Sequence, residues 1–149
     1  MNSEEINKLI KVLNEETQAL FGIMTPQHMI EHLTITMKLS SSRIKIPDFE
    51  PNEKQLAQKN LLLNTSLDFP KGIKAPGSTG DLPGLKMKDL AVAKQKLIAS
   101  IEEFNLYFQS NLEARTIHPR FGNLNHNEWL LFHKKHFIHH LGQFGINYQ

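Results

Sequence analysis

The sequence has no cysteine, and its 149 residues include one tryptophan and two tyrosines. Without cysteine the chain can form no disulfide and offers no thiolate ligand. A bound metal ion would therefore be held by imidazole, carboxylate and water. If a thiol takes part in any chemistry, a substrate must bring it.

Long apolar runs and long basic runs are also missing. No window approaches the 18 uncharged apolar residues of a membrane span, and the first residues show neither the positive nor the apolar region of a signal peptide. Seventeen Lys and Arg are scattered among fifteen Asp and Glu, for a formal net charge of +2. We therefore expect a cytoplasmic protein with neither a membrane nor a nucleic acid as partner.

Strict alternation of apolar and polar residues does not persist beyond a few positions, so no strand is predicted. Helical spacing and caps instead predict helices over residues 3 to about 20 (ended by Gly22), 26–40, 52–64, 88–110 and from Asn125 onward. The length and the 40% hydrophobic content suit a single domain over residues 1–149. We predict an all-α, antiparallel four-helix bundle with a short extra helix and a long loop over residues 65–88. Loops of that length commonly cover a functional site.

Histidine is concentrated near the end of the chain, where four of the eight histidines lie within residues 133–140. His136 and His140 are one helical turn apart, which places their Cβ atoms about 5–6 Å from each other. Two neutral imidazoles at this spacing can share a metal ion. His133 lies at the flank of the same stripe, whereas His139 points away from it. The pair alone is weak evidence, because a firmly held ion normally has at least three protein ligands.

A second histidine pair, His28 and His32, lies in the helix that begins after Thr25 with Pro26 as its first residue. This helix carries apolar residues on two nearly opposite faces. Periodicity therefore does not decide which face meets the last helix, and either histidine could be a cap, a surface residue or a third ligand. The two apolar faces also leave room for a homodimer.

Three motifs resemble those of DinB-like (YfiT/DinB) proteins. Residues 136–143, HFIHHLGQ, resemble the H-x-x-H-H-x-G-Q signature that ends the last helix of this superfamily, and residues 29–33, MIEHL, resemble its early M-L-x-H-x motif. Between them, HPRFG at 118–122 with Glu128 and Trp129 is similar to the H-P-x-F-G…E-W stretch of a subgroup mostly without assigned function. The motifs span nearly the whole chain in the expected order.

The resemblance implies a divalent ion in the core of a helical bundle, with His32, His136 and His140 as its ligands and His139 as a neighbour of the site. Zinc, nickel, manganese and iron all accept such ligands. A bound ion could lower the pKa of water from about 15.7 to near 7, or activate a thiolate from a cosubstrate. Members of the superfamily include thiol-dependent transferases and hydrolases, so membership implies a scaffold more than a reaction.

Proton transfer would need a further group, and His133, His139 and His118 are the candidates, because imidazole titrates near neutral pH. Each has a structural alternative. His133 could pack against Trp129, His139 could face solvent beside Lys135, and His118 could shape a loop.

Other polar residues could serve the same site. Arg120, Lys71 and Lys74 could contact an anionic substrate, and Gln143 could orient a ligand imidazole. Two hypotheses follow. One is a metal-dependent hydrolase or thiol-dependent transferase acting on a small molecule. The other is a non-catalytic helical protein in which the metal is structural or absent.

Overall fold

The computed structural model describes residues 1–69 and 80–149. Within these residues the chain forms five helices and two short strands: α1 Ser3–Ile10, α2 Pro26–Ser40, α3 Glu53–Asn64, α4 Leu90–Ser110, β1 Thr116–His118, β2 Gly122–Leu124 and α5 His126–Gly142. The prediction of a mostly helical protein is confirmed. The all-α prediction holds only approximately, because β1 and β2 form a small antiparallel sheet.

Helix α1 is much shorter than predicted, since it ends at Ile10 and not near residue 20. The residues that follow make local side-chain bonds in place of helical ones. The Asn14 amide donates to Thr17 Oγ1 at 2.9 Å, and the Glu16 amide donates to Asn14 Oδ1 at 2.9 Å. Such bonds offer the backbone an alternative to the helix, which explains why the apolar spacing did not extend α1.

The predicted starts of α2 and α5 are confirmed, because each depends on a local cap. Thr25 accepts a hydrogen bond from the backbone of the third residue of α2, and Pro26 occupies its first position. Asn125 and Glu128 form the reciprocal capping box expected at the start of α5. Asp89 caps α4, which therefore begins two residues later than predicted.

The hairpin of β1 and β2 pairs Ile117 with Asn123. Strands of three residues are too short to show the alternation that a sequence pattern can detect. Thr116 donates its hydroxyl hydrogen to the backbone oxygen of Ser40 at 2.9 Å, so the hairpin is tied to the end of α2. The hairpin that the sequence pattern missed thus packs against α2 through β1.

Helix α2 packs against α4, α5 and β1, while α1 packs against α4 and α3 against α5. Buried apolar side chains from all five helices form one cluster, whose largest fully buried members include Trp129, Phe104, Phe108 and Phe137. Enclosure of α2 on two sides agrees with its two apolar faces. None of the helices in residues 1–69 and 80–149 combines the length and the apolar character needed to cross a bilayer.

Candidate metal centre

Three histidine side chains meet where α2 packs on α5: His32 from α2, and His136 and His140 from α5. The Nε2 atoms of His32 and His136 are 2.9 Å apart. Ring centroids are separated by 4.9 Å for His32 and His136, and by 4.6 Å for each of the other two pairs. We call these three residues the histidine triad. Its geometry could hold a metal ion.

The spacing of the triad matches what a metal ion requires. Zinc–nitrogen bonds of about 2.0–2.1 Å in tetrahedral geometry place two ligand nitrogens about 3.3 Å apart. In the triad the closest nitrogens are 2.9 Å apart, and one ligand atom from each ring lies within 4.8 Å of the others. The required value lies within this range, so the three donor atoms are close enough to one another to share one ion.

The triad is neutral at physiological pH. His136 and His140 are buried and His32 is half-buried. Burial lowers the pKa of His32 to about 4 and that of His140 to about 3, because a charged imidazolium would lose its hydration, and it lowers the pKa of His136 well below its ordinary value. Neighbouring histidines add to each shift. Neutral imidazole keeps one nitrogen lone pair, which is the form that binds metals.

Gln143 fixes the proton of His140. Its Oε1 lies 2.7 Å from His140 Nδ1, and a carboxamide oxygen only accepts hydrogen bonds, so Nδ1 donates. The lone pair of this ring is then on Nε2. This is the contact expected of a residue that orients a ligand imidazole.

His136 has an unsatisfied polar atom. Among the described residues, its buried Nδ1 has no hydrogen-bond partner, while its Nε2 faces His32. Either tautomer leaves Nδ1 unpaired, as a donor or as an acceptor. A buried unpaired polar atom costs about 1–3 kcal/mol, and in the described part of the chain Nδ1 of His133 and Nε1 of Trp129 are unpaired in the same way.

His133 lies in a different cluster. Its ring stacks on Trp129 with centroids 5.2 Å apart, and its Nε2 is 2.8 Å from Ser40 Oγ. The Ser40 hydroxyl donates to Met37 O, so His133 Nε2 is the donor. Burial lowers the pKa of His133 to about 3. Packing against Trp129, one of the two interpretations of this residue, is thus confirmed, although the helical stripe had placed His133 at the triad's flank.

His118 shapes the β1–β2 turn. Its Nδ1 accepts hydrogen bonds from the backbone amides of Arg120 at 3.1 Å and Phe121 at 3.2 Å. The ring stacks on Phe121 and meets Phe132 edge-on, with centroids 4.4 Å apart in the second pair. Burial lowers the pKa of His118 to about 3. These contacts agree with the interpretation that His118 shapes a loop.

His139 lies at the partly exposed edge of the triad. It is half-buried, and its ring centroid is 4.9 Å from that of His140. Phe21 and Phe69 flank it at 5.9 and 6.0 Å, and Phe69 also lies 5.6 Å from His136. No sequence pattern indicates these phenylalanines, because each lies in a loop without periodicity.

His28 is not part of the triad. Its Nδ1 is 2.7 Å from Thr25 Oγ1 and its Nε2 is 3.0 Å from Pro83 O. The structure therefore answers what periodicity left open: His32 is the histidine of α2 that faces α5. His28 instead connects the start of α2 to the chain that precedes α4.

The loop segments on either side of residues 70–79 are fastened to α2 and α5 beside the triad. Buried Glu31 accepts hydrogen bonds from the amides of Lys86 and Met87, each at 2.9 Å. Burial raises the pKa of Glu31, but these amides outweigh it and the pKa is lowered. Lys135 donates its ammonium hydrogens to three backbone carbonyls, those of Leu62, Thr65 and Leu67. In the sequence, the feature that singles out Glu31 is that an acidic residue lies within a mostly apolar helix.

Two residues proposed from the sequence to contact an anion, Lys71 and Lys74, lie outside the described residues, as does the middle of the predicted loop. Arg120 is half-buried in the β1–β2 turn, where its backbone amide donates to His118.

Residues 51–147 match a protein family described as "Protein of unknown function (DUF1569)". Because the match covers well over half of the chain, the chain belongs to this family. No curated protein and no solved structure matches the chain. The matched residues include His136, His140 and Gln143, whereas His32 precedes them.

Proposed function

We propose that this protein is a divalent-metal-dependent enzyme that acts on a small molecule, as a hydrolase or a thiol-dependent transferase. His32, His136 and His140 would be the metal ligands. The observation that carries the proposal is the convergence of three neutral imidazoles, with one nitrogen pair 2.9 Å apart, at the contact of α2 and α5.

We propose further that the fold is a DinB-like antiparallel bundle of α1, α2, α4 and α5, with α3 as the extra helix. The packing of α2 against α4 and α5, and of α1 against α4, supports this arrangement. The order of the histidine motifs supports it as well, because bundles build metal sites from side chains on facing helices.

The chemistry follows from the ligand set. Three imidazoles leave at least one coordination position open, where a divalent ion would act as a Lewis acid on water or on a thiol. Zinc, nickel, manganese and iron fit these ligands. The chain's own contribution is to keep the rings neutral by burial and to orient His140 through Gln143.

The neutral ligand set favours an anionic substrate. Burial is the main cause that keeps His32, His136 and His140 uncharged. Because all three proposed ligands are neutral, they would not balance the positive charge of an ion, which favours a carboxylate or thiolate on the substrate.

Of the candidates for proton transfer, His139 is the one we place at the reaction, because its ring lies at the triad's exposed edge. His133 and His118 are weaker candidates. Their pKa values, lowered to about 3 by burial, make them poor bases near neutral pH.

A cytoplasmic location and a homodimer stay predictions.

One observation favours the alternative, a non-catalytic helical protein. His133 shows that this chain does use a fully buried histidine for packing. The triad differs from His133 in that three rings converge on one point.

Metal analysis of protein purified without a polyhistidine tag tests the site. We expect one stoichiometric ion in the wild type and its loss in His136→Ala. His126→Ala is the matched control, because this histidine also lies on α5 but stacks on Phe108. A wild type that binds no ion after incubation with Zn²⁺, or a His136→Ala variant that binds as well as the wild type, would refute the site.

Turnover separates the two classes. The metal-loaded wild type is screened against small esters, amides and thiol-transfer pairs that carry an anionic group. We expect the wild type to turn over at least one of these substrates. The His139→Ala variant should lose this turnover and still bind its ion. A loaded wild type that turns over none of these substrates favours the non-catalytic alternative.

A further inference from the structure

We propose that Gly22 is a positioning residue of the metal centre, because the turn it forms holds the Gln143 carboxamide against His140. The inference rests on the proposed function in its use of His140 as a ligand. It assigns part of the site's support to a loop that precedes α2.

Two contacts fasten this loop to Gln143. The Leu20 amide donates to the backbone oxygen of Gln143 at 2.7 Å. Gly22 has a φ of 81°, in the left-handed region, and a Cβ added there would lie 2.7 Å from Gln143 Nε2. Gln143 is buried, so its side chain lies between the Gly22 backbone and the His140 ring.

Glycine is required at this position for two reasons. A side chain at a φ of 81° is strained, because Cβ crowds the backbone. A methyl group would also overlap Gln143 Nε2, which is the far end of a flexible side chain. The least costly response is a rotation of the carboxamide, which moves Oε1 away from His140 Nδ1.

Loss of this hydrogen bond would act on the ligand itself. Without an acceptor at Nδ1, the proton of neutral His140 can move to Nε2 and occupy the lone pair that faces the triad. The ring would also lose the contact that fixes its rotation. Gly22 therefore acts on the metal through Gln143 and His140, and touches neither ion nor substrate.

The affinity for Zn²⁺, measured by competition with a chromophoric chelator, tests the inference in a double-mutant cycle. We expect Gln143→Ala to weaken binding by roughly 10- to 100-fold, the usual effect of removing the partner of a ligand imidazole, and Gly22→Ala by roughly tenfold. The double variant should bind no more weakly than Gln143→Ala, because both changes remove the same contact.

Gly122→Ala is the matched control. Gly122 has a φ of 69°, and a Cβ added there would lie 2.7 Å from Pro51 Cγ, so the strain and the overlap resemble those at Gly22. We expect it to lower the melting temperature and leave the affinity for Zn²⁺ unchanged. If Gly22→Ala fails to fold, Gly22→Asn adds the same Cβ to a residue that tolerates positive φ.

Nitrogen-15 NMR of the metal-free protein gives a second readout, which depends on the His140 tautomer and not on the ion. We expect a protonated Nδ1 in the wild type and a mixed tautomer in Gly22→Ala. A wild type that binds no Zn²⁺ refutes the proposed function and with it the role of Gly22 at a metal centre, and the tautomer then tests only whether Gly22 holds Gln143 against His140. The inference is overturned if Gly22→Ala leaves the His140 signals unchanged, or if it weakens Zn²⁺ binding equally in the Gln143→Ala background.

Discussion

Acidification is expected to destabilise this protein through His133. Burial lowers the pKa of His133 from an ordinary value of 6.5 to about 3 in the folded state. Between these two values the unfolded chain binds a proton that the folded chain does not bind. The free energy of unfolding therefore falls as the pH drops below about 6.5, and it is insensitive to this residue above about pH 7.

The magnitude follows from the same two values. Each pH unit below 6.5 costs up to about 1.4 kcal/mol for one such group. Between pH 7.5 and pH 5, His133 alone should remove about 2 kcal/mol from the free energy of unfolding. This is a large share of the 5–15 kcal/mol that is typical of a folded domain. His118, whose pKa burial also lowers to about 3, adds to the loss in the same direction.

Urea unfolding of the metal-free protein at pH 7.5, 6.5, 5.5 and 5 measures the effect, with His133→Gln as the comparison. Glutamine can donate to Ser40 as His133 does, but it does not titrate. The variant should be less stable at pH 7.5, because it loses the stacking on Trp129, and the difference should shrink by about 2 kcal/mol by pH 5. A difference that stays constant with pH would refute the reasoning.

Two further predictions concern the segments fastened beside the triad. Lys135→Met should lower the free energy of unfolding by about 2–3 kcal/mol, because the Lys135 ammonium group donates hydrogen bonds to three carbonyls. The comparison variant is Lys94→Met, which removes a hydrogen bond to one carbonyl. It should lower the free energy of unfolding by about 1 kcal/mol in the same urea assay. Equal losses in the two variants would contradict this reading. Glu31→Gln leaves one acceptor oxygen for the amides of Lys86 and Met87, so hydrogen exchange should become faster at one of them, and unchanged exchange at both would count against the anchoring role.

The parts of the fold that depend on neighbouring residues could be predicted. Thr25 with Pro26, and Asn125 with Glu128, specify the starts of α2 and α5 through bonds within four positions. The end of α1 could not be predicted from apolar spacing, because side-chain bonds at Asn14 compete with the helix. The β hairpin could not be predicted for a different reason. Its strands are held by pairing and by a bond to α2 and not by a pattern of their own.

The candidate site also has parts that could be predicted from the sequence and parts that could not. Helical periodicity alone pairs His136 with His140, because both lie on α5. Periodicity could not choose between His28 and His32, and the family resemblance selected the one that does face α5. The contact of Gly22 with Gln143 joins residues more than a hundred positions apart and depends on how the loop packs. No local pattern contains that information.

The nitrogens of His32 and His136 that face each other belong to residues 104 positions apart. A cation that bridged them would cross-link the chain over that span, as a disulfide does in proteins that have cysteine. In the chain-entropy description, closing a loop of about 100 residues restricts the unfolded state by about 4–5 kcal/mol. Chelators would then act on this protein much as reducing agents act on a disulfide-bonded one.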